Sequence, residues 1–305
     1  MKILITGGAG FVGANLVRHL LAHHHSITVL DNFSTGCREN LAGLPLEIIQ
    51  GDILDSKAIA LAVRSVDAAV HLAAHTGVIS SIDDPQWDMR INVVGMLNVL
   101  QACRDADIQR FVFASSNAPM GKQEPPYHER LVPRPLSPYG ASKLAGEGYC
   151  SAFHGSFGLG TVVLRFTNVY GPYSTHKTSV VAQFMRRIKN ELPLVIYGDG
   201  HQTRDFLYTA DLAEAVRLAL TTGGIGGQTF QLGSGFETSI NDLATMLLEV
   251  SNRTELAVEY APARQGEIAR NYSDLSHARQ LLTYEPRMSL MDGLKRTWHW
   301  FESQA

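Results

Sequence analysis

Tyr139 and Lys143 stand four residues apart in the stretch Ser137-Pro138-Tyr139-Gly140-Ala141-Ser142-Lys143. On a helix this spacing puts both side chains on one face, one turn apart. An ammonium beside a phenol favours the phenolate, so Lys143 is expected to pull the pKa of Tyr139 down from about 10. A tyrosine tuned in that way is a general base near neutral pH. The same spacing arises by chance on many surface helices. Its meaning therefore depends on whether other elements bring it a cofactor and a substrate.

The first elements of the chain supply the cofactor. Residues 2–6 (KILIT) form an apolar run suited to a buried parallel strand, and Gly7-Gly8-Ala9-Gly10-Phe11-Val12-Gly13 follows at once. Residues 14–22 then carry apolar side chains at helical spacing. In a strand–turn–helix unit, Gly7, Gly10 and Gly13 let the backbone approach a pyrophosphate on the helix N-terminus. The next strand, 26–30, ends at Asp31, about 20 residues past the glycines, where a carboxylate takes adenosine ribose hydroxyls and repels a 2′-phosphate. NAD rather than NADP is the expectation.

The alternation continues with strands at 46–50, 68–72, 110–114 and 162–166 and helices at 57–63 and 87–105. It predicts an α/β fold, a parallel sheet wound on both faces. Ligands bind beyond the carboxyl ends of such strands, so Ser116, just past the strand at 110–114, can share a pocket with Tyr139. Past Gly171-Pro172 the pattern loosens, and a smaller α/β substrate domain is expected over 171–305, after a cofactor domain over 1–170. The two should interleave, because 227–233 reads as a strand returning to the main sheet. Amphipathic helices are expected over 180–188, 211–220 and 240–250.

The chain has 305 residues, 45% hydrophobic and 18% charged, with a net charge of -3 and no long basic block, so a nucleic-acid partner is not expected. Its three cysteines, Cys37, Cys103 and Cys150, form no C-x-x-C pair and suit a reducing compartment. No apolar run is long enough to span a membrane, and no signal peptide is read at the N-terminus, so the expectation is cytoplasmic. The run His23-His24-His25 precedes a strand with no enforced geometry; it reads as a solvated turn, and no metal is expected.

Taken together, Gly7-x-x-Gly10-x-x-Gly13, Asp31-Asn32-Phe33-Ser34-Thr35-Gly36, Gly51-Asp52-Ile53, His71-Leu72-Ala73-Ala74, Ser116, Tyr139-x-x-x-Lys143, Arg165-Phe166-Thr167-Asn168, Gly198-Asp199-Gly200-x-x-x-Arg204-Asp205-Phe206 and Arg264-x-Gly266-Glu267 resemble the extended short-chain dehydrogenase/reductases. Within them the chain is most similar to NAD-dependent nucleotide-sugar epimerases of the UDP-glucose 4-epimerase type. The resemblance runs over nearly the whole chain and implies a Rossmann sheet. It implies that Phe11, Val12, Asp31, Asn32, Ser34, Thr35 and Gly36 hold the pyrophosphate and adenosine ribose. Asp52 and Ile53 would face the adenine. Leu72, Ala73, Ala74, Thr76, Asn92 and Ala114 would line the nicotinamide end, with Lys143 on its ribose. Ser116, Tyr139 and Lys143 fill the catalytic pattern. The helices around 87–105 and 138–153 resemble those that pair in a homodimer.

The same resemblance sketches the substrate side. Arg204 and Arg264 would grip the diphosphate of a UDP-sugar. Asn168 would bond phosphate or sugar, Val195 and Tyr197 would meet the uracil, and Glu267 would take the uridine ribose. Asn271 falls where a bulky residue restricts the group at sugar C2, so its small size implies that an N-acetylhexosamine fits. Related dehydratases place Asp-Glu after the catalytic hydroxyl, and related decarboxylases a glutamate two residues after it. This chain has Asn117 and Ala118 there, which points to epimerisation. The alternatives are another nucleotide-sugar oxidoreductase, dehydratase or decarboxylase, a UDP-glucuronate 4-epimerase, or a non-catalytic dinucleotide sensor.

Overall fold

A computed structural model describes residues 1–263 and 268–304. The first half alternates strand and helix: β1 (Lys2–Thr6), α1 (Phe11–Ala22), β2 (Ser26–Asp31), β3 (Glu47–Gln50), α2 (Ser56–Ala62), β4 (Ala68–His71), α3 (Val78–Asp83), α4 (Pro85–Met89), α5 (Met96–Asp105), β5 (Arg110–Ser116), α6 (Pro138–Phe157) and β6 (Gly160–Phe166). The second half holds β7 (Asn168–Tyr170), α7 (Val180–Lys189), β8 (Leu194–Tyr197), β9 (Thr203–Arg204), β10 (Phe206–Tyr208), α8 (Thr209–Thr221), β11 (Thr229–Leu232), β12 (Thr238–Ser239), α9 (Ile240–Val250), β13 (Val258–Ala261), α10 (Ser276–Leu282) and α11 (Leu290–Ser303).

Seven strands form one sheet in the order β11-β6-β5-β4-β1-β2-β3, and every pairing in it is parallel. Its middle strands are apolar on both faces because helices cover both; β4 is buried at every position. One face carries α1, α8 and α10 over Ile3, Ile5, Val29, Val70 and Leu164. The other carries α2, α5 and α6 over Leu4, Leu30, Ala69, Phe111 and Phe113. A third core, of α7, α9 and α11 around β8 and β10, includes Phe184, Leu194, Phe206 and Trp298. β11 pairs with β6 and is thus the far edge of the main sheet, although α7 and β8 before it and α9 after it pack in the third core.

Two sequence expectations change. The helix expected over 87–105 is α4 and α5 joined by a π-helical turn, Arg90–Gly95, which contains Asn92. The strand expected to end at Ala114 continues as β5 through Ser115 and Ser116, in register with Arg165 and Phe166 of β6. Helices α3, α10 and α11 had no counterpart in the sequence reading.

Candidate active site

Local signals start α6 where the chemistry needs it. Ser137 caps the helix by accepting from the Gly140 N–H at 3.1 Å, and Pro138 takes the first helical position. Tyr139 thus sits in the first turn and Lys143 one turn later. The helix lies close on β5 because Gly146 lacks a side chain: a Cβ there would meet the Phe113 ring at 2.5 Å. Ser116 closes β5, accepts from the Ala118 N–H at 3.1 Å and shares a hydrogen bond with the Tyr139 hydroxyl. The structure therefore brings the three expected side chains together.

The electrostatics differ from the sequence expectation. Lys143 is 3% exposed, and its Nζ donates to the Ala114 carbonyl at 2.8 Å, 5.9 Å from the Tyr139 ring centre. Burial pushes the Tyr139 phenol up to about 12, against the Ser116 hydrogen bond and with the Asp88 charge. Burial also draws Lys143 down to about 8, although Asp88 and Glu147 favour its charge. Desolvation outweighs the expected help from Lys143, whose ammonium is turned to a carbonyl. The NAD-free protein should therefore keep Tyr139 protonated. Ultraviolet titration of wild type against Tyr139→Phe should show no added phenolate band from Tyr139 between about pH 6 and pH 9. A wild-type-only band with a midpoint near neutrality would overturn the desolvation argument.

The cofactor residues form a cradle along the strand ends. Gly7, at φ 73, lies so near the chain after β4 that a Cβ would meet the Ala73 nitrogen at 2.7 Å. The N-terminus of α1, from Phe11, Val12 and Gly13, has no side-chain cap and no acid in its first turn. Uncapped N–H groups without a competing carboxylate fit a diphosphate. Asp31 is 7% exposed and pinned by the Ala9 and Phe33 N–H groups, both at 2.8 Å. Each oxygen keeps a lone pair for a ribose hydroxyl. Asn32 donates to Asp52 at 2.7 Å and accepts from the Ser34 N–H, so Asn32 and Asp52 stand together, with Thr35 and Gly36 following. Ile53 is buried beyond Asp52. Leu72 and Ala73 hang from Thr6 by backbone and hydroxyl bonds. Ala74 follows in that loop, and Thr76 is its exposed end. The residues fit NAD.

Asn92 does more than the sequence reading expected. It exchanges two hydrogen bonds with the backbone of His75, and also donates to Asp88 at 2.8 Å and to Ser142 of α6 at 3.3 Å. The π turn thereby ties the loop after β4 to the helix carrying Tyr139.

On the substrate side, Asn117 gathers the loops. It is 6% exposed and donates to Asn271 at 3.2 Å and to Ser273 at 3.3 Å, so Asn271 lies beside the strand end of Ser116. Asn168 bonds the Asp205 carbonyl at 3.3 Å, and Arg204 donates to the Ile268 carbonyl at 2.8 Å. Val195 and Tyr197 lie on β8, in a separate two-stranded sheet with β13. Arg264 and Glu267 fall outside the described residues.

Four buried or half-buried groups escaped the sequence reading. Asp205 is fully buried and ties Ser234, Gly235 and Ser273 together. Glu147 and Arg165 form a buried ion pair, with Nη2–Oε2 at 2.7 Å. Asp88 is 1% exposed, four residues before its partner Asn92, a spacing that could have signalled the pair. Lys177 places its Nζ 3.5 Å from Thr76 Oγ1. No sequence pattern announces Lys177, because its partner is 101 residues away.

Relatives match this geometry along the full chain. The UDP-glucose 4-epimerase of Mycolicibacterium smegmatis is 34% identical over 100% of both chains. The UDP-glucose 4-epimerase of Thermus thermophilus, solved in complex with NAD, superposes with a TM-score of 0.92 at 34% identity over 100% of both chains. The UDP-N-acetylglucosamine 4-epimerase of Methanobrevibacter ruminantium, solved with UDP-N-acetylmuramic acid, has a TM-score of 0.94 at 31% identity, covering 100% of this chain and 99% of that one. The sequence model of the NAD dependent epimerase/dehydratase family matches residues 3–233, a span that runs from β1 through β11 and so takes in the whole main sheet. With a glycine turn, a buried aspartate at the end of β2 and a serine–tyrosine–lysine cluster on such a sheet, and with these relatives, the chain belongs to the NAD-dependent epimerase/dehydratase family.

Proposed function

We propose that this protein interconverts 4-epimers of a UDP-hexose using bound NAD. The observation that carries the reading is the Ser116–Tyr139–Lys143 cluster with no carboxylate in the two positions after Ser116. Tyr139 takes the proton of the sugar 4-hydroxyl, with Ser116 bonded to the same oxygen, and later returns it. NAD, when bound, supplies the nicotinamide that removes and restores the C4 hydride. Lys143 holds the nicotinamide ribose and, once its ammonium faces Tyr139, favours the phenolate. The 4-keto sugar turns over between the two transfers. Elimination of water would need an extra acid beside Ser116; Asn117 is instead occupied with Asn271 and Ser273.

Residues 1–170 with β11 bind NAD, and the remainder of 171–305 binds the nucleotide sugar through Val195, Tyr197, Arg204, Arg264, Glu267 and Asn271, joined by Asn168 from the first part. The exposed apolar side chains Ile79, Ile82, Trp87, Met89, Val94 and Tyr149 lie on α3, α4, the π turn and α6, and they support a homodimer through those helices. Three free cysteines support a cytoplasmic setting.

The test is to incubate the protein and NAD with UDP-glucose, UDP-N-acetylglucosamine and UDP-glucuronate, then separate the products. Net NADH or a 6-deoxy-4-keto product would refute epimerisation. Asn271 presents a small amide where a C2 substituent would lie, and its Oδ1 is engaged by Asn117, so its N–H2 is left for an acetamido oxygen. Asn271→Tyr is expected to abolish turnover of UDP-N-acetylglucosamine while UDP-glucose turnover is equal or better. A wild-type enzyme that ignores UDP-N-acetylglucosamine would end that argument. A second substrate, a hexuronate, is favoured by Lys177, whose ammonium stands over Thr76 at the nicotinamide end, where a sugar carboxylate would pair with it.

A further inference from the structure

His23-His24-His25 looked like a solvated turn, but the fold gives its first member neighbours. His19 and His23 are one turn apart at the C-terminal end of α1, with ring centres 4.4 Å apart. Across the groove between α1 and α8, Glu214 Oε2 lies 3.0 Å from His19 Nε2. One ligand atom from each of His19, His23 and Glu214 lies within 4.8 Å of the other two.

We infer that His19, His23 and Glu214 bind a divalent first-row transition metal ion, such as Zn2+, that staples α1 to α8. Adjacent ligand atoms on a shell of about 2.1 Å radius are roughly 3.0–3.4 Å apart, so the His19–Glu214 edge already has the right length. His23 Nδ1 faces the His19 carbonyl at 2.8 Å. Donation there fixes the tautomer and leaves Nε2 as a free lone pair, as the outer partner of a metal-bound histidine does. The negative end of the α1 dipole also favours a cation here. Arg217 holds both oxygens of Glu214, at 2.8 and 2.6 Å, and fixes the orientation of the carboxylate. Oε1 retains a second lone pair for the ion, and Oε2 gains one when the ion displaces the proton shared with His19 Nε2. The guanidinium charge opposes the ion, so the affinity expected is micromolar. His23 is exposed, so water completes the coordination.

The test uses untagged full-length protein, stripped with EDTA and titrated calorimetrically with ZnCl2. The expected result is one ion per chain, with Tm raised by about 3 °C at tenfold above Kd. His23→Ala should weaken binding about tenfold or more while its Tm in EDTA equals that of wild type. The double variant His24→Ala, His25→Ala should bind as wild type does. Absence of binding to the wild type would overturn the inference. So would binding that survives His23→Ala but is lost in the double variant, which would place the ion on the histidine run instead.

Discussion

Tyr139→Phe is expected to lower kcat on the UDP-hexose substrate by about 1,000-fold or more, with Tm within a few degrees of wild type. Phenylalanine keeps the ring where Tyr139 packs in the first turn of α6 and removes only the hydroxyl. That hydroxyl is hydrogen-bonded to Ser116 and, on the proposed function, exchanges the proton with the sugar. Of the described side chains beside it, Lys143 is a cation that donates to the Ala114 carbonyl and Asn117 cannot accept a proton near neutral pH, so neither replaces it. NAD content, measured by release on denaturation, should be unchanged, because the glycine turn and Asp31 are untouched. An unchanged kcat would remove Tyr139 from the chemistry altogether.

The second large effect is on stability. Glu147→Ala should destabilise the fold by roughly 3–5 kcal/mol and lower Tm by about 5–8 °C. The carboxylate accepts two bonds from Arg165, at 2.9 and 2.7 Å, and one from Ser115 at 2.5 Å. The side chains are only 6% and 7% exposed. Removing Glu147 leaves a guanidinium buried between α6 and β6 without its counter-charge, and Arg165 Nη1 already lacks a hydrogen-bond partner. The double variant Glu147→Leu, Arg165→Met should recover much of the loss, since apolar replacement of a whole buried pair is often neutral or stabilising. Chemical denaturation of the three variants checks this; a loss below about 1 kcal/mol for Glu147→Ala would show that the pair is solvated.

The parts of the structure legible in the sequence are those whose signal is local. KILIT followed by glycines, the Ser137-Pro138 start of α6, and the apolar periods of α1, α7 and α9 each carry their own reason to form. The cofactor rim follows, because strand ends in a parallel sheet point one way. What was not legible depends on contacts distant in sequence. The tyrosine–lysine spacing was read correctly as one face of a helix. The sign of the pKa shift was not, because burial by β5 and the orientation of Lys143 decide it, and neither is written in the spacing. The link between Asn117 and Asn271 spans 154 residues. The π turn, Arg90–Gly95, has no local sequence signal of its own and lies where an unbroken helix was expected.

The return of β11 to the sheet bears on how such a chain can be remodelled. The strand that completes the dinucleotide-binding sheet lies after α7, β8, β9, β10 and α8, which already belong to the later part of the chain. No single crossover point divides the gene into a cofactor half and a sugar half: a recombinant joined after residue 170 would bring its edge strand from the other parent. That foreign β11 would have to match β6 along Val163 to Phe166, and a mismatch would leave an unpaired edge open to association. On the proposed function, a change of sugar in this architecture comes more readily from point changes in loops such as the one at Asn271 than from the exchange of whole modules.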